Sequence, residues 1–241
     1  MSFAITTPMS TLVLVAATAI AVSGCGVNVA FGDDATDRTE TRTIDARDID
    51  ALLVDTDNGA VSVSGTDGDT IEITAHLRER SLGDAEFTAT EHDGVLALDG
   101  DCDGGWVGNC RVELVVDVPR DLDVTVGSDN GRIALAGLSG DVDAATDNGT
   151  IDATDLTADR LAADSDNGRI TLVFDDPPDA VRASTDNGAI AISIGGDATY
   201  DIEADTGHGT VEVDVPTDPL AVRRVVAHSG NGSIRIAERR P

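Results

Sequence analysis

The chain carries a short turn motif that recurs seven times with the same hydrophobic and polar pattern on both sides. Apolar residues stand six and four positions before the turn residue and three and five positions after it, and serine or threonine stands two before it. This period-two alternation predicts β-strands on both sides of each turn, with one apolar face. The turn residue is always followed by glycine, and the seven turn residues are Asn58, Asn130, Asn148, Asn167, Asn187, His208 and Asn231.

The Asn-Gly pairs predict a backbone with positive φ, which asparagine and glycine tolerate better than most residues. Two all-β architectures fit. In an antiparallel β meander each pair is the tip of a type I′ hairpin. In a β-solenoid each pair is a corner, and equivalent residues of successive copies stack about 4.8 Å apart.

We favour a single elongated β-solenoid of about ten coils, similar to β-rolls and β-helices, with Asn-Gly corners. Small alanines recur at one inward position, as a narrow interior requires, and stacking would turn the serines and threonines into a hydroxyl ladder. The last six copies recur every 18 to 23 residues, a length that either architecture could use. The interval from Asn58 to Asn130 predicts degenerate copies, one of them around Asp93-Gly94.

Composition supports a thin aliphatic core in an unusually acidic protein. Aromatic residues make up 2% of the chain, and a conventional globular core relies on them more heavily. The net charge is −29, and the 16 basic residues are all arginine, so nucleic acid is excluded as a partner. Such an excess of acid repels itself unless salt screens it, which indicates adaptation to a halophilic environment; an ordinary acidic surface protein is the alternative.

The amino terminus predicts export and attachment to a membrane. Residues 1–24 are typical of a signal peptide, with an apolar run over 12–22 that is too short to span a bilayer safely. The run ends in Val22-Ser23-Gly24-Cys25, which resembles a lipobox, so Cys25 is the predicted lipid-attachment residue. An ordinary cleaved signal and a mis-assigned start codon are the alternatives. Residues 25–43 are expected to form an acidic flexible tether, and residues 44–241 the repeat domain.

The cysteine count agrees with an extracytoplasmic location. If Cys25 carries lipid, Cys102 and Cys110 remain to form a disulfide, and two free thiols are the alternative.

One acidic column is a candidate metal site. Asp129, Asp147, Asp166 and Asp186 each precede a turn asparagine, so stacking would bring four carboxylates together. Neighbouring charges would repel by roughly 1 kcal/mol per pair even in water. Ca²⁺ or Mg²⁺ could neutralise them, as could Arg132 and Arg169 just past the turns. Splayed carboxylates screened by salt are the alternative.

Two segments, VPRDLDV at 118–124 and DNGRIALAGL at 129–138, resemble the putative-adhesin family of bacterial and archaeal envelope proteins. This family is a domain of unknown function with degenerate nG-x-I repeats. The resemblance extends over about 44–236 and implies a β-solenoid or β-roll. It brings no catalytic residues with it.

We therefore expect a non-enzymatic, lipid-anchored cell-surface protein that presents an acidic β-solenoid for adhesion or envelope interaction. Its expected partners are the membrane, through the lipid, and an envelope glycan or surface protein. The alternatives are an envelope-stress sensor or accessory protein, a calcium-binding surface structural protein and a polysaccharide-cleaving β-helix enzyme. The chain contains no nucleophile elbow, phosphate-binding glycine loop or paired-cysteine zinc signature, and no cofactor is expected apart from such cations.

Overall fold

The computed structural model describes residues 28–32, 35–80, 84–103 and 110–239. These residues form β-strands joined by turns and contain no helix, which confirms the all-β class. In this part of the chain, accordingly, no helix is long and apolar enough to cross a membrane.

The strands of the described residues form two mixed sheets. Sheet A has, in spatial order, β1 (Asn28–Gly32), β2 (Ala35–Asp45), β5 (Thr70–Arg80), β8 (Arg111–Pro119), β4 (Val61–Thr66), β10 (Ile133–Ala136), β12 (Ile151–Leu156), β14 (Ile170–Phe174), β16 (Ile190–Ile194), β20 (Ile234–Glu238) and β18 (Val211–Asp214). Sheet B has β17 (Tyr200–His208), β19 (Arg223–Asn231), β15 (Ala180–Asn187), β13 (Arg160–Ser165), β11 (Val142–Thr146), β9 (Asp123–Asn130), β3 (Ala51–Asn58), β7 (Val95–Asp103) and β6 (Asp84–His92).

The chain passes from sheet B to sheet A at each Asn-Gly turn. For example, β9 ends at Asn130 in sheet B and β10 begins at Ile133 in sheet A. Equivalent strands pair in parallel and in register, so that Ala144 of β11 lies between Val126 of β9 and Ala163 of β13. The turns are therefore corners between sheets and not hairpin tips. We call the two strands that flank one corner a coil.

The apolar positions of the repeat face the space between the two sheets, as predicted. In six of the seven copies these side chains are at most 4% exposed. Burying one valine, leucine or isoleucine contributes roughly 1.5–3 kcal/mol, so these columns supply most of the stability. The copy around His208 differs, because its Val211 and Val213 are 41% and 38% exposed.

The coils are not stacked in chain order. Strand β19 pairs with both β15 and β17, so the last copy in the sequence lies between the two copies that precede it. Strand β3 likewise pairs with both β7 and β9. The coil of β17 and β18 consequently forms one end of the stack.

The opposite end is antiparallel and fits the meander alternative. Strands β2, β5 and β8 pair antiparallel in sheet A, as do β6 and β7 in sheet B. Asp93 and Gly94, predicted as a degenerate corner, have φ values of 50° and 79° and form the tip of the β6–β7 hairpin. Positive φ at both central residues is the type I′ geometry, which returns the chain into the same sheet.

The predicted tether overlaps this end of sheet A. Strand β2 begins at Ala35 and pairs with β5 along its whole length, as far as Asp45. The sheet therefore starts before residue 44, the predicted boundary. The segment is rich in threonine and charged residues, which hides its strand pattern in the sequence. The predicted signal peptide and Cys25 lie outside the described residues.

Candidate binding surface

Glycine is needed after each turn residue because the neighbouring coil is very close. A Cβ on Gly149 would lie 1.8 Å from the carbonyl oxygen of Gly131, and one on Gly168 would lie 1.6 Å from that of Gly149. The expectation of positive φ at these corners is wrong, and lack of space replaces it as the reason for glycine. Within the described residues positive φ occurs at Asp93, Gly94, Gly137, Asp155 and Gly196.

The serines and threonines that stand two positions before the turn residues are buried as predicted in six of the seven copies, and Thr206 is half-buried. They bond mainly to the carbonyl oxygens of the glycines that follow the turn residues. Ser165 Oγ donates to the carbonyl oxygen of Gly149 at 3.0 Å, and equivalent bonds of 2.8–3.4 Å join other coils. A hydroxyl-to-hydroxyl bond joins Thr56 to Ser128 at 3.4 Å. Each buried bond contributes about 1 kcal/mol and fixes the register between coils.

The turn asparagines form a ladder of side-chain hydrogen bonds along the corner. Five bonds of 2.9–3.2 Å, each from an Nδ2 to an Oδ1, join the asparagines of adjacent coils, and Asn58 accepts the first of them. The order along the ladder is Asn58, Asn130, Asn148, Asn167, Asn187 and Asn231. His208 occupies the same place in the terminal coil, paired with Asn231. The tolerance of asparagine for positive φ does not explain why asparagine recurs at this position. An amide side chain repeated at one position of a stack is itself the signal for such a ladder.

The four aspartates predicted to bind metal lie beside this ladder. They are exposed and belong to consecutive coils: Asp129, Asp147, Asp166 and Asp186. The pKa of Asp129 is raised, chiefly because its carboxylate is partly desolvated and further because of the charges of Asp147 and other carboxylates. Arg132 lies 2.9 Å from Asp152 and so pairs outside the column. No cluster of three or more potential ligand side chains suited to a metal occurs in the described residues, and cation binding stays a prediction.

An open groove crosses the outer face of sheet B. It has a volume of about 500 Å³ and runs over β9, β11, β13, β15 and β19. Its outward side chains alternate with the buried ones, and the small or apolar Thr125, Ala162, Ala180 and Val226 form its floor. This volume lies within the range of roughly 300–1,000 Å³ that is usual for ligand sites.

Charged side chains divide the groove into an acidic half, with Asp123, Asp141 and Asp143, and a basic half, with Arg160, Arg182 and Arg224. Arg160 pairs with Asp141 at 3.3 Å, and Arg224 pairs with Glu203 at 2.7 Å. The side chain of Arg182 is exposed and forms no hydrogen bond or ion pair with any other described residue. The groove therefore presents one guanidinium that is available to a ligand.

This groove was not predicted from the sequence. Its arginines stand five or seven positions before a turn residue, which marks them as outward-facing. That Arg224 lies close to Arg182 depends on β19 pairing with β15, and the sequence does not indicate this neighbour relation.

Cys102 and Cys110 form a disulfide with a Cα–Cα distance of 5.6 Å, as predicted. The bond ties the end of β7 in sheet B to the residue before β8 in sheet A. Cys25 lies outside the described residues, so its lipidation stays a prediction.

No protein-family model and no curated relative matches the chain. A putative cell adhesion protein from Clostridium sporogenes has a similar structure, with a TM-score of 0.51 and 12% identity, covering 84% of this chain and 100% of that one. A putative adhesin from Bacteroides fragilis and a putative lipid binding protein from Parabacteroides distasonis give TM-scores of 0.44 and 0.40. Each is 14% identical and covers 82% of this chain and 96% of its own. At such identities, the likeness to the Clostridium protein concerns the fold alone.

Proposed function

We propose that the protein is a non-enzymatic, adhesin-type module that is lipid-anchored at the cell surface and presents a β-solenoid to an extended partner. The parallel, in-register pairing of equivalent strands in both sheets supports the solenoid. The fold shared with a protein named for cell adhesion supports the adhesin function. The Cys102–Cys110 disulfide is typical of an oxidising, extracytoplasmic compartment.

The anchor and the environment rest on the sequence. The lipobox-like segment that ends at Cys25 supports attachment to the outer face of the membrane. The net charge of −29 supports a medium of high salt, in which the Debye length falls to about 3 Å near 1 M and self-repulsion is screened.

The groove on sheet B is the proposed binding site, and an extended, carboxylate-bearing envelope glycan is the proposed ligand. The observation that carries this proposal is the unpaired Arg182, exposed in a groove of a chain that is otherwise strongly acidic. A guanidinium pairs with carboxylates in a bidentate, charge-assisted geometry. The small side chains of the floor leave room for a polymer to lie across the strands, and molar salt weakens its repulsion by the acidic surface.

Binding of the purified protein to polygalacturonate and to uncharged dextran, in about 1 M KCl, tests the proposal. We expect the protein to bind polygalacturonate and not to bind dextran. Removing one charge-assisted contact by Arg182→Ala should weaken it about 10- to 100-fold. Arg169→Ala is the matched control, because Arg169 is also exposed and unpaired among the described residues. Equal affinity for both polymers, or an equal loss in both variants, contradicts the proposal.

A further inference from the structure

The terminal coil of β17 and β18 exposes positions that are buried in the other coils of the repeat. Val211 and Val213 are 41% and 38% exposed, whereas Ile234 and Ile236, their equivalents in the adjacent coil, are 1% and 0% exposed. On β17, Ile202 is only half-buried. The interior of the stack is therefore open at this end.

The segment 215–222 adds two large apolar side chains to the same end. Leu220 is 89% exposed and Val222 is 98% exposed. The segment lies on the open side of β17, because Thr217 bridges Tyr200, the first residue of that strand. Single exposed apolar residues are ordinary, but a group of them beside an open core marks an interaction surface.

The backbone at this end is unpaired as well. In the described residues β18 pairs with β20 alone, and β17 pairs with β19 apart from the bridge to Thr217. Two sheet edges therefore end side by side, and edges of this kind favour pairing with a further strand. The opposite edge of sheet B differs, because the inward side chains of its edge strand β6, Ala85 and Phe87, are at most 5% exposed, so the interior is closed there.

We propose that a second copy of this chain covers the open end. A two-fold axis normal to the sheets places β17 against the partner's copy of β17, and likewise for β18. Edge strands related in this way run antiparallel, so both sheets continue across the interface. The terminal coil of a second copy offers two strand edges with the same separation as the edges of β17 and β18, whereas a single extended peptide offers one. Together with 215–222 these strands provide about 20 residues on each side, the number in an interface of standard size.

The charge of the chain makes this association dependent on salt. Each copy carries a net charge of −29, and Glu212 on the edge strand β18 is held by Arg235 of its own chain. Repulsion between the copies opposes pairing at low ionic strength and is screened near 1 M salt. Because the two-fold axis covers the open end of both copies, no open end is left and the assembly closes at two copies.

Sedimentation of the purified full chain in non-ionic detergent, at about 0.1 M and 1 M KCl, tests the inference. We expect a monomer at low salt and a reversible dimer at high salt. Leu220→Asp with Val222→Asp should raise the dissociation constant at least ~10-fold. Both side chains are almost fully exposed, so the melting temperature should not change.

Leu53→Asp is the matched control, because Leu53 is 42% exposed on the outer face of sheet B, away from the open end. It should leave the dissociation constant unchanged. A monomer at both salt concentrations, an open-ended polymer, or a dimer insensitive to the double substitution overturns the inference.

Discussion

Replacing Gly168 by alanine tests the close packing of the corners. The added Cβ would lie 1.6 Å from the carbonyl oxygen of Gly149 and 2.6 Å from its carbonyl carbon. Ordinary contact with that oxygen begins near 3.4 Å. The two coils must therefore separate by roughly 1.8 Å at this corner, because neither backbone can yield without losing its place in the stack.

The hydrogen bonds that cross the same corner include three that would be lost. Ser165 Oγ donates to the oxygen of Gly149 at 3.0 Å, and Asn167 Nδ2 donates to Asn148 Oδ1 at 3.1 Å. The backbone N–H of Asn167 donates to the carbonyl oxygen of Asp147 at 2.9 Å. At about 1 kcal/mol each, these bonds account for about 3 kcal/mol. Residual strain from overpacking adds about 1–3 kcal/mol, so the free energy of unfolding should fall by about 4–6 kcal/mol.

Urea unfolding in about 1 M KCl, followed by circular dichroism, measures the difference. Gly68→Ala is the control, because the nearest heavy atom to its added Cβ is 3.7 Å away, on Thr66, and its φ is not left-handed. This control should be neutral or more stable by about 0.4–1 kcal/mol, since alanine restricts the unfolded chain. If Gly168→Ala loses less than about 1 kcal/mol, the corners are not packed against one another and the reasoning fails.

Three further predictions concern the ladder, the acidic column and the charge. Asn167→Ala removes one side-chain hydrogen bond that Asn167 donates and one that it accepts, so the free energy of unfolding measured in urea should fall by about 1–2 kcal/mol. No change would show that the ladder is not formed in solution. The raised pKa of Asp129 means that its ionisation weakens the folded state. Asp129→Asn should therefore stabilise the protein at pH 7, with the gain disappearing below the ordinary aspartate pKa of about 3.9, and destabilisation at pH 7 would contradict this cause. The melting temperature should rise steeply between about 0.1 M and 1 M KCl, and a flat response would exclude adaptation to salt.

The faces of the strands could be predicted from the sequence because burial in a strand alternates locally. Val124 and Val126 lie two residues apart and both are buried, and the same spacing identifies the buried positions in six of the seven copies. The all-β class was predicted on the same local grounds, whereas the disulfide was predicted from the cysteine count with Cys25 set aside for lipid. The reason for the glycines was not, because the carbonyl that excludes a Cβ belongs to another coil.

The order of the coils could not be predicted because neighbouring coils are far apart in sequence. Ile202 and Val225 occupy equivalent positions with the same character, yet one lies at the open end and the other is fully buried. His208, in the place of an asparagine, is the one local sign that the ladder stops at this coil. Asp93-Gly94 likewise resembles a corner in sequence, but its positive φ values make it a hairpin.

Disulfide formation between engineered cysteines tests the parallel, in-register stack most directly. Ser184 pairs with His228, and His228 pairs with Asp205, so the stack places Ser184 next to His228 and two steps from Asp205. At about 4.8 Å per step, the first pair lies within the reach of a disulfide and the second lies beyond it. After mild oxidation, peptide mapping should find the bond in Ser184→Cys with His228→Cys and not in Ser184→Cys with Asp205→Cys. A bond in the second variant alone would show coils stacked in chain order, and a bond in neither would contradict the stacked architecture.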